Sequence, residues 1–343
     1  MGLTKEITRF LLQSASKGAP FGRVLTLGHQ YTSVSPERLQ QQLAEHGFWP
    51  PRCGEEKFRK SMANPVDRFE GLAHAIGASE VIACDASNYE GAQWTHDLNR
   101  PVPETWHNAF DVVIDSGTLE HVFNFPTAIA NCMRAVRPGG RLFLFTPANN
   151  YFGHGFYQFS PELFYRVLSP ENGFRVDRMW LRANAEGSSN FLGVQYPFPI
   201  TSEAWDVRDP AAIHERVTLV NDVPVLLFIE ATKERDVVPF QFTPQQSDYV
   251  EQWGEEEEGE ADAAKSAGTT TKPAVTPDAE SRSPAPAKGG LATYLQQRLP
   301  ESVCREWLPR LAGLIDWFRL ARFRKLHSTS NSRFYSPADR DRR

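Results

Sequence analysis

Several polar residues fall where apolar runs stop. "RVLTLGHQ" ends in Gly28, His29 and Gln30, and "EVIACDAS" ends in Asp85. "AQWTHDL" ends in His96, Asp97 and Leu98, "AFDVVIDSG" in Asp115 and Ser116, and "RLFLFTPANN" in Thr146, Asn149 and Asn150. Short apolar runs bounded by such residues read as buried strands. In an open α/β sheet, ligands bind beyond the carboxyl ends of the strands, where the strand order reverses. A carboxylate ending the second strand can accept two hydroxyl hydrogen bonds from a ribose. One ending the third can accept from an adenine amino group. A glycine ending the first lets backbone approach a ligand closely. An Asp at a strand end also serves as a turn former, so the ordered set carries more than any member.

A second group lies around "LEHV" and "NNYFGHGFYQF". His121 and His154 are the candidates for a catalytic base, because an imidazole titrates near neutral pH and can take a hydroxyl proton. His121 also reads as a half-buried residue capping its own turn. Gly153 and Gly155 around His154 predict a shaped loop. Asn149, Asn150 and Tyr157 are the candidate substrate contacts beside such a base, and the neighbouring aromatics read as packing rather than as a cage for a cation.

Alternating strand and helix signals must position these groups. "PERLQQQLAEHG", "PVDRFEGLAHAIG", "TAIANCMRAVRPGG" and "SPELFYRVL" carry helical apolar spacing with Pro in the first turn or Gly at the end. Five strands wound with helices, then two late strands, "GFRVDRMWLRA" and "VPVLLFIEATK", predict a doubly wound, mainly parallel α/β sheet over residues 1–240. Gly28 and Asp85 are 57 positions apart, against about 20 in dinucleotide-binding sheets. A helical insertion over about 30–78 fills the difference.

Composition narrows the class. The chain has 343 residues, 41% of them hydrophobic, with 23 Phe and 8 Trp, enough for a sizeable core. A net charge of −5 gives no general argument for nucleic acid. The four cysteines, Cys53, Cys84, Cys132 and Cys304, form no C-x-x-C pair, so no metal is expected and a reducing cytoplasm suits them. "MGLTKEITRFLLQSASKG" lacks a signal-peptide core, and a cytoplasmic location is expected.

The character of the chain changes near residue 250. Residues 251–290 hold nine acidic and four basic residues and no aromatic after Trp253. Such a segment cannot offset an ordering entropy of ~1–2 kcal/mol per residue and reads as a disordered acidic, Pro/Ala-rich linker. Residues 291–343 hold eleven basic and five acidic residues. There Leu308, Leu311, Ile315 and Phe318 recur at helical spacing before Arg319, Arg322, Arg324 and Lys325, which predicts an amphipathic basic tail. Residues 291–326 are expected either to dock on protein or to meet a membrane surface peripherally.

The run from Phe110 to Asn150 closely resembles class I S-adenosylmethionine-dependent methyltransferases of the type 11 group. The resemblance rests on "FDVVI", "LEHV", "RPGG" and the Thr146-Pro147 strand end. It implies a seven-stranded Rossmann-like sheet with an antiparallel closing pair, and S-adenosyl-L-methionine as cofactor. Carried over position by position, Gly28 opens the cofactor loop and Asp85 holds the ribose. Asp97 lies on the adenine side, Leu98 packs on the adenine face, and Asp115 with Ser116 borders the methionine part. The loop reads G-H-Q-Y-T where the family has G-x-G-x-G. Two expectations follow. In one, the cofactor binds with His29 or Gln30 supplying a side-chain contact, and the methyl group goes to a small-molecule or glycan-like acceptor at a hydroxyl. In the other, the fold is a catalytically inactive scaffold that binds a partner through its C-terminal helix.

Limited proteolysis of the intact chain is expected to cut first between Glu255 and Gly290, where polar backbone is exposed. Early cleavage between residues 23 and 234 with that span protected would contradict the division.

Overall fold

The structure is a computed structural model that describes residues 2–18, 21–32, 34–183, 204–214, 219, 224–250 and 335–337. Strand β1 (Gly22–Leu27) forms where the apolar run Val24, Leu25 and Leu27 begins the α/β alternation. It pairs in parallel with β2 (Ala78–Asp85) on one side and with β4 (Phe110–Ser116) on the other. Strand β3 (Trp94–Thr95) extends the β2 edge, and β5 (Val136–Pro147) continues in parallel beyond β4. The two late strands, β6 (Phe174–Ala183) and β8 (Val225–Lys233), close the sheet, with β8 antiparallel between β5 and β6. Two short strands, β7 (Ala204–Val207) and β9 (Tyr335–Pro337), lengthen the far edge, giving the order β3-β2-β1-β4-β5-β8-β6-β7-β9.

Side chains along each strand alternate between two apolar layers, as a pleated sheet requires. Leu25, Leu27, Val113, Leu142 and Leu144 face helices α5 (Phe125–Ala135) and α6 (Pro161–Val167). Val24, Val112, Ile114, Phe143 and Phe145 face α1 (Lys5–Lys17) and the helices α2 (Pro36–Glu45), α3 (Glu55–Ala63) and α4 (Arg68–Ala75) that stand between β1 and β2. Connections after β1 therefore cross one face, and the connection after β4 crosses the other. A last short helix, α7 (Pro210–Ile213), follows β7.

Helix α1 is absent from the sequence expectations, although Ile7, Phe10, Leu11 and Ala15 recur at helical spacing; polar residues share its buried face. The Thr4 side chain caps it by accepting from the Ile7 amide. Buried Thr8 donates to Gln42 at 2.9 Å, and Ser14 donates to the Glu230 carboxylate. Arg178 reaches the same carboxylate at 2.6 Å, while its guanidinium sits 3.9 Å from the Phe10 ring centroid. Phe10 also meets Phe143, Phe145, Trp180 and Phe228 edge-on. Polar partners at depth thus let α1 bury Thr8 and Ser14 beside its apolar residues.

Other sequence expectations need correcting. The third strand is two residues long rather than seven, because Asp97 turns the chain instead of extending it. Arg137 to Gly140 belong to β5 and not to the helix end. Helix α3 and the edge strands β7 and β9 are additions, and β9 falls in the segment expected to be a helical tail. The linker, residues 251–290, and the amphipathic helix, residues 306–325, lie outside the described residues. Among those described, no helix is long and apolar enough to cross a membrane.

Phe10→Ala is expected to lower unfolding free energy by about 3–5 kcal/mol, the range for truncating a fully buried Phe, read from urea denaturation. A loss under 1 kcal/mol would show that α1 is peripheral to the fold.

Candidate active site at the carboxyl ends of the central strands

The crevice lies where the connections diverge, at the ends of β1 and β4. Gly28 adopts φ +74, a conformation that favours glycine, and its amide donates to the Cys84 carbonyl at 2.7 Å. A Cβ at Gly28 would stand 3.5 Å from Thr118 Oγ1, 3.7 Å from Gln30 Nε2 and 3.8 Å from Asp85 Oδ2. The structure therefore gathers Gly28, Gln30, Asp85 and Thr118 around one point. Thr118 Oγ1 donates to the Leu27 carbonyl at 3.1 Å and ties the two strand ends together.

The loop G-H-Q-Y-T is held open by its own side chains. His29 Nδ1 lies 2.6 Å from the Glu90 carbonyl, and Gln30 Nε2 donates to the Leu27 carbonyl at 2.7 Å. Thr32 Oγ1 donates to the Leu3 carbonyl at 2.7 Å, and the Leu3 amide donates back to Tyr31. The segment before α1 thus braces a loop that a glycine-rich turn would otherwise shape.

Buried polar atoms converge here. Gln30 Oε1, His29 Nε2, Asp115 Oδ2, Ser116 Oγ, both Glu120 carboxylate oxygens and Thr146 Oγ1 have no hydrogen-bond partner among the described residues. Each such atom costs ~1–3 kcal/mol if nothing meets it. They belong to the loops and strand ends of β1, β4 and β5, which is the signature of a ligand site rather than of a core.

Asp115 is fully buried, with Oδ1 accepting from the Thr118 amide at 2.9 Å. Burial pushes its carboxyl up to about 7, against those backbone hydrogen bonds. Glu120 ends the turn after β4, and burial followed by repulsion from Asp115 raises it to about 8. Two carboxylates facing one desolvated space cannot both ionise cheaply.

His121 and His154 come together with ring centroids 4.9 Å apart. Glu120 Oε1 lies 3.4 Å from His154 Nε2 and 3.9 Å from His121 Nε2. Burial lowers both imidazoles from their usual value. Gly155 makes this approach possible. It adopts φ +74, and a Cβ there would stand 2.8 Å from the Glu120 carbonyl oxygen. The Phe156 amide donates to that same oxygen at 2.8 Å, and the Tyr157 hydroxyl donates to the Phe123 carbonyl at 2.6 Å. The loop after β5 is thus laced to the turn after β4.

The remaining sequence candidates are more dispersed. Asp97 is exposed and accepts from the Asn99 amide at 3.0 Å and from its side chain at 2.8 Å, which lowers its carboxyl below the usual range. Leu98 is buried beside it. Asn149 donates to the Leu219 carbonyl at 3.4 Å, and exposed Asn150 adopts φ +62. Tyr157 spends its hydroxyl on the loop. Glu120 is the residue that sequence reasoning passed over, although it stands in the quoted "LEHV". Nothing in one dimension marks it as buried.

Residues 68–144 match the family described as a methyltransferase domain. Within that span the chain is similar to methyltransferase domains of the type 11 kind. The match spans α4 to β5 and leaves out β1 with its G-H-Q-Y-T loop. No curated protein matches significantly. Among solved structures, the YcgJ protein from Bacillus subtilis aligns over 67% of this chain and 100% of its own, at 12% identity and a TM-score of 0.37. The 1,6-didemethyltoxoflavin-N1-methyltransferase of Burkholderia thailandensis aligns over 67% and 78%, at 12% identity and a TM-score of 0.33. The branched-chain polyamine synthase of Thermus thermophilus aligns over 71% and 60%, at 12% identity and a TM-score of 0.33. Likeness of this size adds no argument to the methyltransferase assignment.

Gly155→Ala is expected to destabilise the protein by at least ~1–2 kcal/mol, the cost of left-handed backbone with a side chain, and to shift the His154 ring resonances. Thermal unfolding and imidazole NMR check both. An unchanged His154 signal would mean the loop does not depend on this approach.

Proposed function

We propose that the protein is an S-adenosyl-L-methionine-dependent methyltransferase acting on a small molecule, at a hydroxyl. One observation supports it most: the buried polar atoms without partners, gathered at the strand-order reversal of a methyltransferase fold. Gly28, His29 and Gln30 line the methionine end of the cofactor with Asp115 and Ser116. Asp85 accepts from the ribose, and Asp97 with Leu98 borders the adenine. His29 and Gln30 are already turned onto backbone carbonyls, so His29 Nε2 and Gln30 Oε1 are left to meet the ligand in place of the missing glycines.

Transfer is an in-line displacement. The acceptor oxygen attacks the methyl carbon, the carbon–sulfur bond breaks, and sulfur keeps the electron pair. The hydroxyl proton leaves to an imidazole or to water. Alignment supplies most of the acceleration. On the acceptor side stand His121 and His154 as the catalytic pair, with Asn149, Asn150 and Tyr157 shaping the approach. Exposed Phe123, Phe152 and Phe156 surround that side, with Phe123 and Phe156 5.7 Å apart. Exposed aromatics beside polar groups favour an acceptor with an apolar body over a glycan.

Calorimetry with S-adenosylhomocysteine is expected to give one site on the intact chain. Asp85→Ala is expected to weaken it by ~1.5–3 kcal/mol, the scale of a lost charged hydrogen bond. No heat from the intact protein at millimolar ligand would overturn the enzyme reading and leave the scaffold.

A further inference from the structure

The acceptor side holds a group of residues that methyl transfer by itself does not require. Glu120, His121 and His154 each offer a ligand atom, and those atoms lie within 4.8 Å of one another. One carboxylate oxygen, Glu120 Oε1, faces both imidazole Nε2 atoms, at 3.4 and 3.9 Å. Tetrahedral coordination with bonds of ~2.0–2.2 Å sets ligand atoms roughly 3.3–3.6 Å apart. Drawing in a spread of up to 4.8 Å takes a shift of about an ångström, within reach of side-chain rotation.

We infer that Glu120, His121 and His154 form a binding site for one divalent transition-metal cation, of the zinc or manganese kind. Independent of the spacing, Glu120 is 0% exposed and neither carboxylate oxygen has a hydrogen-bond partner among the described residues. A buried carboxylate without a partner is what a cation satisfies and what a core avoids. Two imidazoles and one carboxylate are the donor set of zinc sites that keep a position open, and of iron and manganese sites with an open face. The His121 side chain is 49% exposed, so the cluster can be reached from solvent.

The loop after β5 is built for this approach. Gly155 brings His154 onto Glu120, and the Phe156 amide holds the Glu120 carbonyl. The ion would take an acceptor oxygen and favour its ionised form, as a Lewis acid does. The imidazoles would then be ligands, and the acceptor's proton would leave to water. The site itself needs no cofactor; only this role in acceptor activation rests on the methyltransferase reading.

The test is titration of the intact, chelator-stripped chain with Zn²⁺ and with Mn²⁺ by calorimetry, and with Co²⁺ by visible absorption. One equivalent at micromolar affinity or tighter is expected, with Co²⁺ bands that report nitrogen and oxygen ligands. Glu120→Gln, His121→Asn and His154→Asn are each expected to weaken it at least tenfold, while His46→Asn leaves it unchanged. Circular dichroism confirms that each variant folds, and the two histidine variants keep the test open if Glu120→Gln does not. Absence of stoichiometric binding, or binding insensitive to every variant of the triad, would overturn the site. Calorimetry with S-adenosylhomocysteine on the same samples separates the readings: metal binding without S-adenosylhomocysteine binding sinks the enzyme alone, and the reverse sinks the ion site alone.

Discussion

Parallel pairing of β1 with β4 is the constraint on which the site depends. Leu27 stands opposite Asp115 in that register. After β1 the chain crosses one face of the sheet through α2, α3 and α4, and after β4 it crosses the other through α5. Right-handed crossovers leaving in opposite directions part the two strand ends and open a crevice between them. Everything polar and unpartnered in the central sheet collects there, because elsewhere along these strands both faces are covered by apolar side chains.

The crevice carries an energetic cost that the rest of the domain offsets. Asp115 and Glu120 are desolvated and repel each other. Apolar layers on both sides of β1, β4 and β5 supply the stabilisation that holds them in place. Each buried Val, Leu, Ile or Phe contributes ~1.5–3 kcal/mol on transfer from water, so a few core residues outweigh one unsatisfied polar atom. Preorganised polar groups held in a dry site by a rigid scaffold are what binding and catalysis require.

Helix α1 shows how remote packing serves the site. Its apolar face covers the β5–β8–β6 side through Phe10, and Glu230 draws Ser14, Arg178 and Arg141 to one carboxylate. The residues just before it, through Leu3, hold Thr32 and Tyr31. The loop that departs most from the family is therefore anchored from outside the family's matched segment. A loop with few glycines keeps its shape by hydrogen bonds to neighbours, where a glycine-rich one keeps it by backbone turns.

The sequence by itself determined the winding of the sheet, because buried parallel strands read as short apolar runs and amphipathic helices carry period 3.6. It marked the carboxyl ends of β1, β2 and β4 too, and with them the positions of Gly28, Asp85, Asp115 and Ser116, but not the end of β3. Turn chemistry was legible for Pro36 and Pro161 in the first turns of α2 and α6. For helix α1 the apolar spacing was there to read, but the burial of Thr8 and Ser14 rests on Gln42 and Glu230, which the fold brings to them. The edge pairing of β7 with β9 was not legible, since it joins segments more than a hundred positions apart. Above all, only the tertiary structure decided that Glu120 is buried and shares one oxygen between two imidazoles. Burial and convergence are properties of three chain segments brought to one place, and no single segment encodes where the others will lie.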